Sequence, residues 1–81
     1  MLTINERGER MNLREVSEGI EYIIDRIETH DEELDAFLFS LGCYSGEPIT
    51  VVTRLKKSCT VAIKDGRYNI DNQLAQAIIV E

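Results

Sequence analysis

The sequence predicts a small, mainly β domain, in which five short strands form a barrel and one α-helix, at about residues 30–42, is inserted after the first strand. Three observations support this class. Short segments of β-branched or alternating apolar residues recur along the chain, Asp65-Gly66 is a typical two-residue hairpin sequence, and a single segment carries apolar residues at helical spacing. Closure into a barrel is favoured because it hides the edges of so small a sheet.

The chain begins with a segment that has no apolar period. Residues 1–11 are therefore predicted to form a flexible tail, and residues 12–81 to form one domain, as expected for a chain of 81 residues. Leu13 and Val16 follow as a short apolar lead-in. The first strand is predicted at residues 20–27, because apolar residues partly alternate there, with Ile20, Tyr22 and Ile24 on one face.

A helix is predicted to follow this strand. Thr29 and Glu32 have the spacing of a capping box, and acids fill the first turns, where they favour the positive end of the helix dipole. Gly42 fits the left-handed position at which helices commonly end. One face carries apolar residues at i, i+3, i+4 and i+7, which are Leu34, Phe37, Leu38 and Leu41.

Four further strands are predicted after the helix, because β-branched residues cluster there between turn sequences. They span residues 49–55, 59–64, 67–71 and 78–80, with the hairpin turn at Asp65-Gly66 and a polar or short helical link at residues 72–77. The side chains expected to form the core are Tyr22, Ile24, Leu34, Leu38, Leu41, Ile49, Val51, Val61, Ile63, Ile70 and Ile78.

Composition limits the function. The formal net charge is −6, which argues against nucleic acid as a partner, because phosphates are bound chiefly by Lys and Arg. No apolar run is long enough to span a bilayer, and the first residues lack the apolar core of a signal peptide, so we expect a cytoplasmic protein without a transmembrane segment. The sequence has no phosphate-binding loop and no nucleophile elbow, so neither a catalytic residue nor an enzyme is predicted.

Few residues are suited to bind a metal. His30, Asp31 and Glu33 could offer iron an imidazole and carboxylates, but acids that cap the helix beside an exposed His30 are the simpler interpretation. Cys43 and Cys59 could act as soft ligands if they met, although buried core thiols are the stronger expectation. Metal ligands are therefore left unassigned, and we expect no cofactor, with Fe²⁺ binding that is weak at most.

Several short motifs occur in a fixed order along residues 12–81: Leu13-Arg14-Glu15, Leu38-x-x-Leu41-Gly42, Gly46-x-x-Ile49-x-Val51, Asp65-Gly66 and Leu74-Ala75-x-x-Ile78-x-Val80. Together they resemble the ferrous iron transport protein A family, FeoA, whose members are small SH3-like barrels with a helix inserted after the first strand. Two positions depart from the family pattern. Cys43-Tyr44-Ser45-Gly46 stands where the family usually has Leu/Ile-x-Pro-Gly, and Phe37 stands where a basic residue is common.

The resemblance implies a small non-enzymatic accessory protein of bacterial ferrous iron transport. Family members act with FeoB, a membrane permease that carries a cytoplasmic GTPase domain, so the inner face of the cell membrane is the expected location. The alternative is a stand-alone module that binds or senses a transition metal, because a similar SH3-like module forms the C-terminal domain of iron-dependent repressors.

Five residues are predicted to contact a partner, either the permease or a second copy of the chain. Phe39 lies nearly opposite the apolar stripe of the predicted helix, and Tyr44 follows in the next turn. Exposed aromatic side chains are favoured anchors of interfaces. Arg54, Lys56 and Lys57 belong to a basic stretch that follows an acidic one, and they are suited to face an acidic surface or anionic lipid headgroups.

Overall fold

The computed structural model of the protein describes residues 4–81. This part of the chain forms five β-strands and two α-helices, so the predicted mainly β class is confirmed. The second helix occupies the segment that was predicted as a polar or short helical link. In chain order the elements are β1 (Glu21–Ile27), α1 (Glu32–Leu41), β2 (Pro48–Arg54), β3 (Ser58–Ile63), β4 (Gly66–Asp71), α2 (Asn72–Ala77) and β5 (Ile78–Val80).

The strands form one antiparallel sheet in the order β4-β3-β2-β1-β5. Two irregularities interrupt the pairing, one between Val51 and Thr53 in β2 and the other between Ile24 and Arg26 in β1. Such bulges bend a strand and increase its twist, which allows a small sheet to curl round a core. Helix α2 contacts β3, β4 and β5, so it bridges the two edge strands of the sheet.

The core lies on the inner face of the sheet and receives side chains from every strand. Alternate residues of β3 are buried, as the period of two in its sequence predicts, and all three residues of β5 are buried. Of the predicted core residues, Tyr22, Leu34 and Leu41 are only partly buried, whereas the others are buried. The buried apolar side chains are Leu13, Val16, Ile24, Leu38, Cys43, Ile49, Val51, Cys59, Val61, Ile63, Ile70, Ala75, Ala77, Ile78, Ile79 and Val80.

Two apolar residues of the predicted inward faces are exposed instead. Ile20 is 51% exposed, because β1 begins only at Glu21 and the preceding Gly19, with φ of 79°, turns the chain. Phe37 is 49% exposed, and Leu38 is the one residue of α1 that is buried. The apolar stripe of this helix is therefore narrower than its sequence indicates.

Helix α1 also begins differently from the prediction. Its N-cap is Asp31, whose carboxylate accepts hydrogen bonds from the N–H groups of Glu33 at 3.0 Å and Leu34 at 3.2 Å. Thr29 binds the residue ahead of the helix, since its hydroxyl oxygen accepts the N–H of Asp31 at 3.1 Å. The predicted capping box at Thr29 is wrong, because Asp31 supplies the oxygen acceptor and the helix spans Glu32–Leu41.

The turn between β3 and β4 lies one residue earlier than predicted. Ile63 pairs with Gly66, so the two turn residues are Lys64 and Asp65. Lys64 adopts φ of 52°, in the left-handed region. Gly66 has a different role, since a Cβ atom there would lie 2.6 Å from the hydroxyl oxygen of Tyr68.

The residues ahead of β1 are attached to the C-terminal segment. Leu13 is buried, and its N–H lies 3.2 Å from the carbonyl oxygens of both Ala75 and Ile78. The N–H of Val80 donates to the carbonyl oxygen of Met11 at 2.9 Å. The lead-in and the last strand therefore stabilise each other.

The predicted tail comprises residues 1–11, of which residues 1–3 lie outside the described part of the chain. Residues 4–10 form a turn in which an isolated β-bridge joins Ile4 and Arg10. The N–H of Asn5 donates to the carbonyl oxygen of Glu9, across this turn, at 2.7 Å. A boundary between tail and domain near residue 12 stays a prediction.

Candidate functional site

An open groove of about 590 Å³ lies where the end of α1 meets the β3–β4 turn. Two segments that are distant in the chain form it: the end of α1 with the loop that follows, and the β3–β4 turn with the start of β4. Two of the predicted partner-binding residues line it. Its lining residues, which we call the aromatic groove, are Phe39, Ser40, Leu41, Gly42, Tyr44, Lys64, Asp65, Gly66 and Tyr68.

The end of α1 brings Phe39 and Tyr44 together. Gly42 has φ of 97°, its N–H donates to the carbonyl oxygen of Phe39 at 3.0 Å, and the N–H of Cys43 donates to that of Leu38 at 2.9 Å. This Schellman geometry reverses the chain, so Tyr44 returns beside the helix. The two ring centroids lie 5.0 Å apart with the planes inclined by 36°, a favourable arrangement for an aromatic pair. Phe39 remains 64% exposed, so most of its ring is accessible to another molecule.

Lys64 reaches across the groove from the β3–β4 turn. Its Nζ lies 2.8 Å from Oε1 of Glu47 and 5.0 Å from the centroid of the Tyr44 ring, which is a cation–π distance. The interaction with Glu47 first, and with Tyr44 second, raises the pKa of Lys64 above its usual value, so this side chain stays positively charged. Its methylene groups lie over Gly42, where a Cβ atom would come within 2.9 Å of them. Gly42 is thus required both for its backbone angle and for this contact.

Tyr68 was missed by the sequence analysis, and Lys64, a member of the same basic stretch as Arg54, Lys56 and Lys57, was expected to face an acidic partner but not to lie beside the aromatic pair. The available signal was the Asp65-Gly66 pair, because residues on either side of a hairpin turn lie at the same end of the sheet. Their approach to Phe39 depends on the path of the chain after α1, which no local pattern specifies. Tertiary structure therefore adds a cation and a second tyrosine to the predicted aromatic pair.

The three basic candidates lie outside the aromatic groove. Arg54 is half-buried, and its Nη2 donates to the carbonyl oxygens of Leu13 at 2.7 Å and Val16 at 2.8 Å, so it holds the lead-in against the sheet. Lys56 and Lys57 are exposed in the turn between β2 and β3. This turn and the β3–β4 turn lie at opposite ends of β3, so the structure does not bring these two lysines next to the aromatic groove.

The residues considered as metal ligands do not form a cluster. His30 is exposed between β1 and α1, and Asp31 beside it caps the helix. Cys43 and Cys59 are free thiols, and their predicted burial is confirmed. Burial raises the pKa of the Cys43 thiol to about 11 and also raises that of Cys59, so both are poor ligands at neutral pH, because the thiolate is the form that binds a metal. Within residues 4–81, no group of three or more His, Cys, Asp or Glu side chains is arranged to hold a metal ion.

The fold and the groove define a small SH3-like β domain with an exposed aromatic surface. In the part of the chain that the structure describes, no helix is long and apolar enough to cross a membrane. Residues 11–81 match the FeoA domain family. The chain therefore belongs to the FeoA family, the accessory proteins of ferrous iron transport, and the resemblance predicted from its motifs is confirmed.

Solved structures agree with this fold. An iron uptake regulatory protein, FeoA, is 22% identical, with a TM-score of 0.79 over 88% of this chain and 95% of its own. The zinc complex of FeoA from Stenotrophomonas maltophilia, a procaryotic SH3 domain protein, is 17% identical, with a TM-score of 0.79 over 88% of this chain and 89% of its own. A manganese-dependent transcriptional repressor is 22% identical, with a TM-score of 0.81 over 93% of this chain but only 45% of the repressor. No curated protein matches the chain.

Proposed function

We propose that this protein is a non-enzymatic accessory protein of bacterial ferrous iron transport that works with the FeoB permease at the cytoplasmic face of the membrane. Membership of the FeoA family supports the transport role. The aromatic groove supports a role through binding, since it presents an exposed aromatic pair next to a charged lysine. Such a role needs no cofactor, and the permease carries the ferrous ion as its cargo.

The exposure of Phe39 carries this proposal. Its ring is packed against Tyr44, which also contacts Lys64, so the surface that a partner would cover is ordered before binding. Preorganised side chains lose little conformational freedom on association, which leaves more of the contact energy for affinity. Large aromatic residues in such positions contribute most to many interfaces.

The test compares two phenylalanines of the same helix. Phe39→Ser should weaken binding to membranes that contain the permease by about 1–3 kcal/mol, the range for an interface anchor. Phe37→Ser is the matched control, because Phe37 is 49% exposed but does not line the aromatic groove. Co-purification from native membranes measures binding, and melting temperatures verify that both variants are folded. Unchanged binding of Phe39→Ser, or an equal loss in both variants, would refute the groove as the contact surface.

Self-association is a separate outcome of the same experiment. Sedimentation of the purified protein shows whether Phe39 holds two copies together. A monomer whose binding to the permease depends on Phe39 supports the proposal. Dimers that depend on Phe39, without any binding to the permease, would contradict it.

Lys56 and Lys57 are proposed to add a weaker attraction to the same membrane. Each base near an anionic surface contributes about 1 kcal/mol, and salt screens this contribution. Arg54 could bind the membrane only if it broke its hydrogen bonds to the carbonyl groups of Leu13 and Val16. Binding of a variant with glutamine at positions 56 and 57 should be weaker at low salt and equal to wild type at high salt; binding that is insensitive to salt would remove the electrostatic part.

The second candidate function is direct metal binding or sensing, suggested by the likeness of the fold to a manganese-dependent repressor. We expect no Fe²⁺ or Zn²⁺ site tighter than about micromolar in the isolated protein, since a tight site needs convergent deprotonated ligands. Anaerobic titration calorimetry at neutral pH measures this. A stoichiometric submicromolar isotherm that disappears in His30→Ala or Cys59→Ser would favour the second candidate over the first.

A further inference from the structure

Strand β4 is an edge of the sheet, and its outer side is available for pairing. Ile63 and Gly66 flank the two-residue turn and therefore form a hydrogen-bonded pair, after which bonded and non-bonded pairs alternate along the ladder. The N–H and C=O groups of Gly66 and Tyr68 are thus directed to β3. Those of Arg67 and Asn69 point outward, away from the sheet.

No other segment of residues 4–81 covers these outward groups. Neither Arg67 nor Asn69 makes a main-chain hydrogen bond to a loop, a cap or a turn in that part of the chain. Exposed edges are where sheets accept an additional strand, because each outward N–H and C=O can pair with an extended segment. The start of this edge, at Gly66 and Tyr68, also lines the aromatic groove.

Basic side chains accompany the edge from one end to the other. Arg67 is the second residue of the strand and has no carboxylate within 4 Å among the described residues. Lys57 lies next to the Ser58–Asp71 pair at its far end, whereas Lys64, which precedes the strand, is already paired with Glu47 at 2.8 Å. The carboxylate of Asp71 caps α2, where it accepts the N–H of Leu74 at 2.9 Å. Arg67 and Lys57 each lack a carboxylate within 4 Å among the described residues, so in a protein of net charge −6 these two residues form a basic strip that complements an acidic segment.

The two faces of β4 specify the side chains of an added strand. Tyr68 lies on the inner face, which adjoins the aromatic groove, whereas Arg67 and Asn69 lie on the outer face, where the Asn69 amide contacts the hydroxyl groups of Ser58 and Thr60 at 3.4 Å. Side chains of paired residues share a face. An added strand would therefore present apolar residues to the groove and acidic residues to Arg67, in alternation.

We propose that the outer edge of β4 binds, by strand addition, an extended polypeptide segment in which acidic and apolar residues alternate. This inference rests on the proposed function in one respect: the segment would belong to the partner that covers the aromatic groove. The groove would hold the apolar side chains, the outward groups of Arg67 and Asn69 would supply the main-chain hydrogen bonds, and the basic strip would select the acids.

The probe is a blocked seven-residue peptide of alternating glutamate and valine, titrated into the whole protein. Binding should shift the amide signals of Arg67 and Asn69 and slow their hydrogen exchange. Two N-methylated peptides are the matched controls, one blocked at the glutamate amides and one at the valine amides. In an antiparallel addition the glutamate amides face β4, so methylation there should weaken binding at least about tenfold while methylation of the valines leaves it unchanged. Equal binding of all three peptides would overturn strand addition.

Variants of the protein test the same contact from the other side. Asn69→Pro removes the outward N–H, and Asn69→Ala removes the side chain but retains that N–H. Asn69→Ala should bind the peptide as wild type does, Asn69→Pro about tenfold more weakly, and Arg67→Gln more weakly at low salt only. If Asn69→Pro fails to fold, the methylated peptides still decide the question.

Failure of this inference differs from failure of the proposed function. Peptide binding that is insensitive to methylation, with Phe39→Ser still losing the permease, would reject strand addition alone. Methylation-sensitive peptide binding by a protein that never associates with the permease would retain the edge site and reject the proposed partner.

Discussion

Helix α1 and the C-terminal segment of α2 and β5 both contain apolar residues, but they contribute very differently to the core. Of the ten residues of α1, Leu38 is the one that is buried. In α2 and β5, Ala75, Ala77 and the whole of β5 are buried. The difference follows from their places in the fold. Strand β5 pairs with β1 in the sheet, whereas α1 is an insertion between β1 and β2.

We therefore expect β5 to contribute mainly to stability and α1 mainly to binding. Leu38 is the one buried side chain of α1, so the other apolar residues of this helix lie nearer the surface, where Phe39 and Leu41 line the aromatic groove. A strand that is buried on all sides has no surface to offer. Substitutions in the two regions should therefore affect different measurements.

The largest expected effect is in β5, where Ile78 is fully buried. Ile78→Ala should lower the free energy of unfolding by about 2–5 kcal/mol, because it removes buried methyl groups and leaves a cavity. Leu41→Ala, in the partly buried end of α1, should cost about 1–2 kcal/mol, less than the range for a fully buried side chain. Urea unfolding measures both. Equal losses would show that α1 contributes as much to the core as β5 does.

The loop after α1 offers a sharper comparison between two glycines. Gly42 and Gly46 have φ of 97° and 89°, so alanine at either position is strained and should cost about 1–2 kcal/mol. At Gly42 the new methyl group would also lie 2.9 Å from the Lys64 side chain, whereas at Gly46 it would meet nothing within 4 Å. Gly42→Ala should therefore be the more destabilising and should also shift the NMR signals of Tyr44. Identical unfolding curves for the two variants would mean that the Lys64 contact does not restrain the groove.

A smaller effect should depend on pH. Burial raises the pKa of Cys43 to about 11 from a usual value of 9.0, so the native state retains a proton that the unfolded state releases. The contribution of this thiol to stability is complete below about pH 9 and is lost as the pH rises towards 11, by roughly 1 kcal/mol between pH 9 and 10. Cys43→Ala should flatten this part of the stability curve. If the stability of both proteins declines equally over this pH range, the Cys43 thiol is more accessible to solvent than the structure indicates.

The smallest effect should come from the N-terminal residues, in contrast to the C-terminal ones. Deletion of residues 1–10 should change the free energy of unfolding by less than about 0.5 kcal/mol, as expected for surface segments. The ion pair between Arg10 and Asp25, at 3.9 Å, is partly exposed and contributes little. Thermal unfolding of the shortened protein measures the change. A large drop in melting temperature would extend the domain into the predicted tail.

Much of the fold could be predicted from local pattern. The alternation of Cys59, Val61 and Ile63 fixed β3, and the Asp65-Gly66 pair placed the hairpin to within one residue. The turn shifted because Lys64 accepts a left-handed angle, while Gly66 is needed under the Tyr68 ring. The start of α1 was misplaced because two neighbouring side chains can cap a helix, and the sequence does not rank them.

The candidate site was less accessible to prediction. Phe39 was found because it breaks the helical stripe, and Tyr44 because it lies in the turn that follows. The positions of Lys64 and Tyr68 in the same groove depend on contacts between segments that are distant in sequence. The sequence also grouped Arg54 with Lys56 and Lys57, although the Arg54 side chain points to Leu13 and Val16.

The pairing of β5 with β1 joins Val80 to Ile24, nearly the whole length of the domain apart. Strands β2, β3 and β4 pair with their neighbours in the chain, so they can assemble as soon as short loops close. Closure of the long loop between β1 and β5 costs more entropy and is the expected slow step in folding, on the order of milliseconds to seconds for a β protein of this kind. Throughout that interval the apolar residues of β5 would be exposed to solvent, and the nascent protein would be most vulnerable to aggregation.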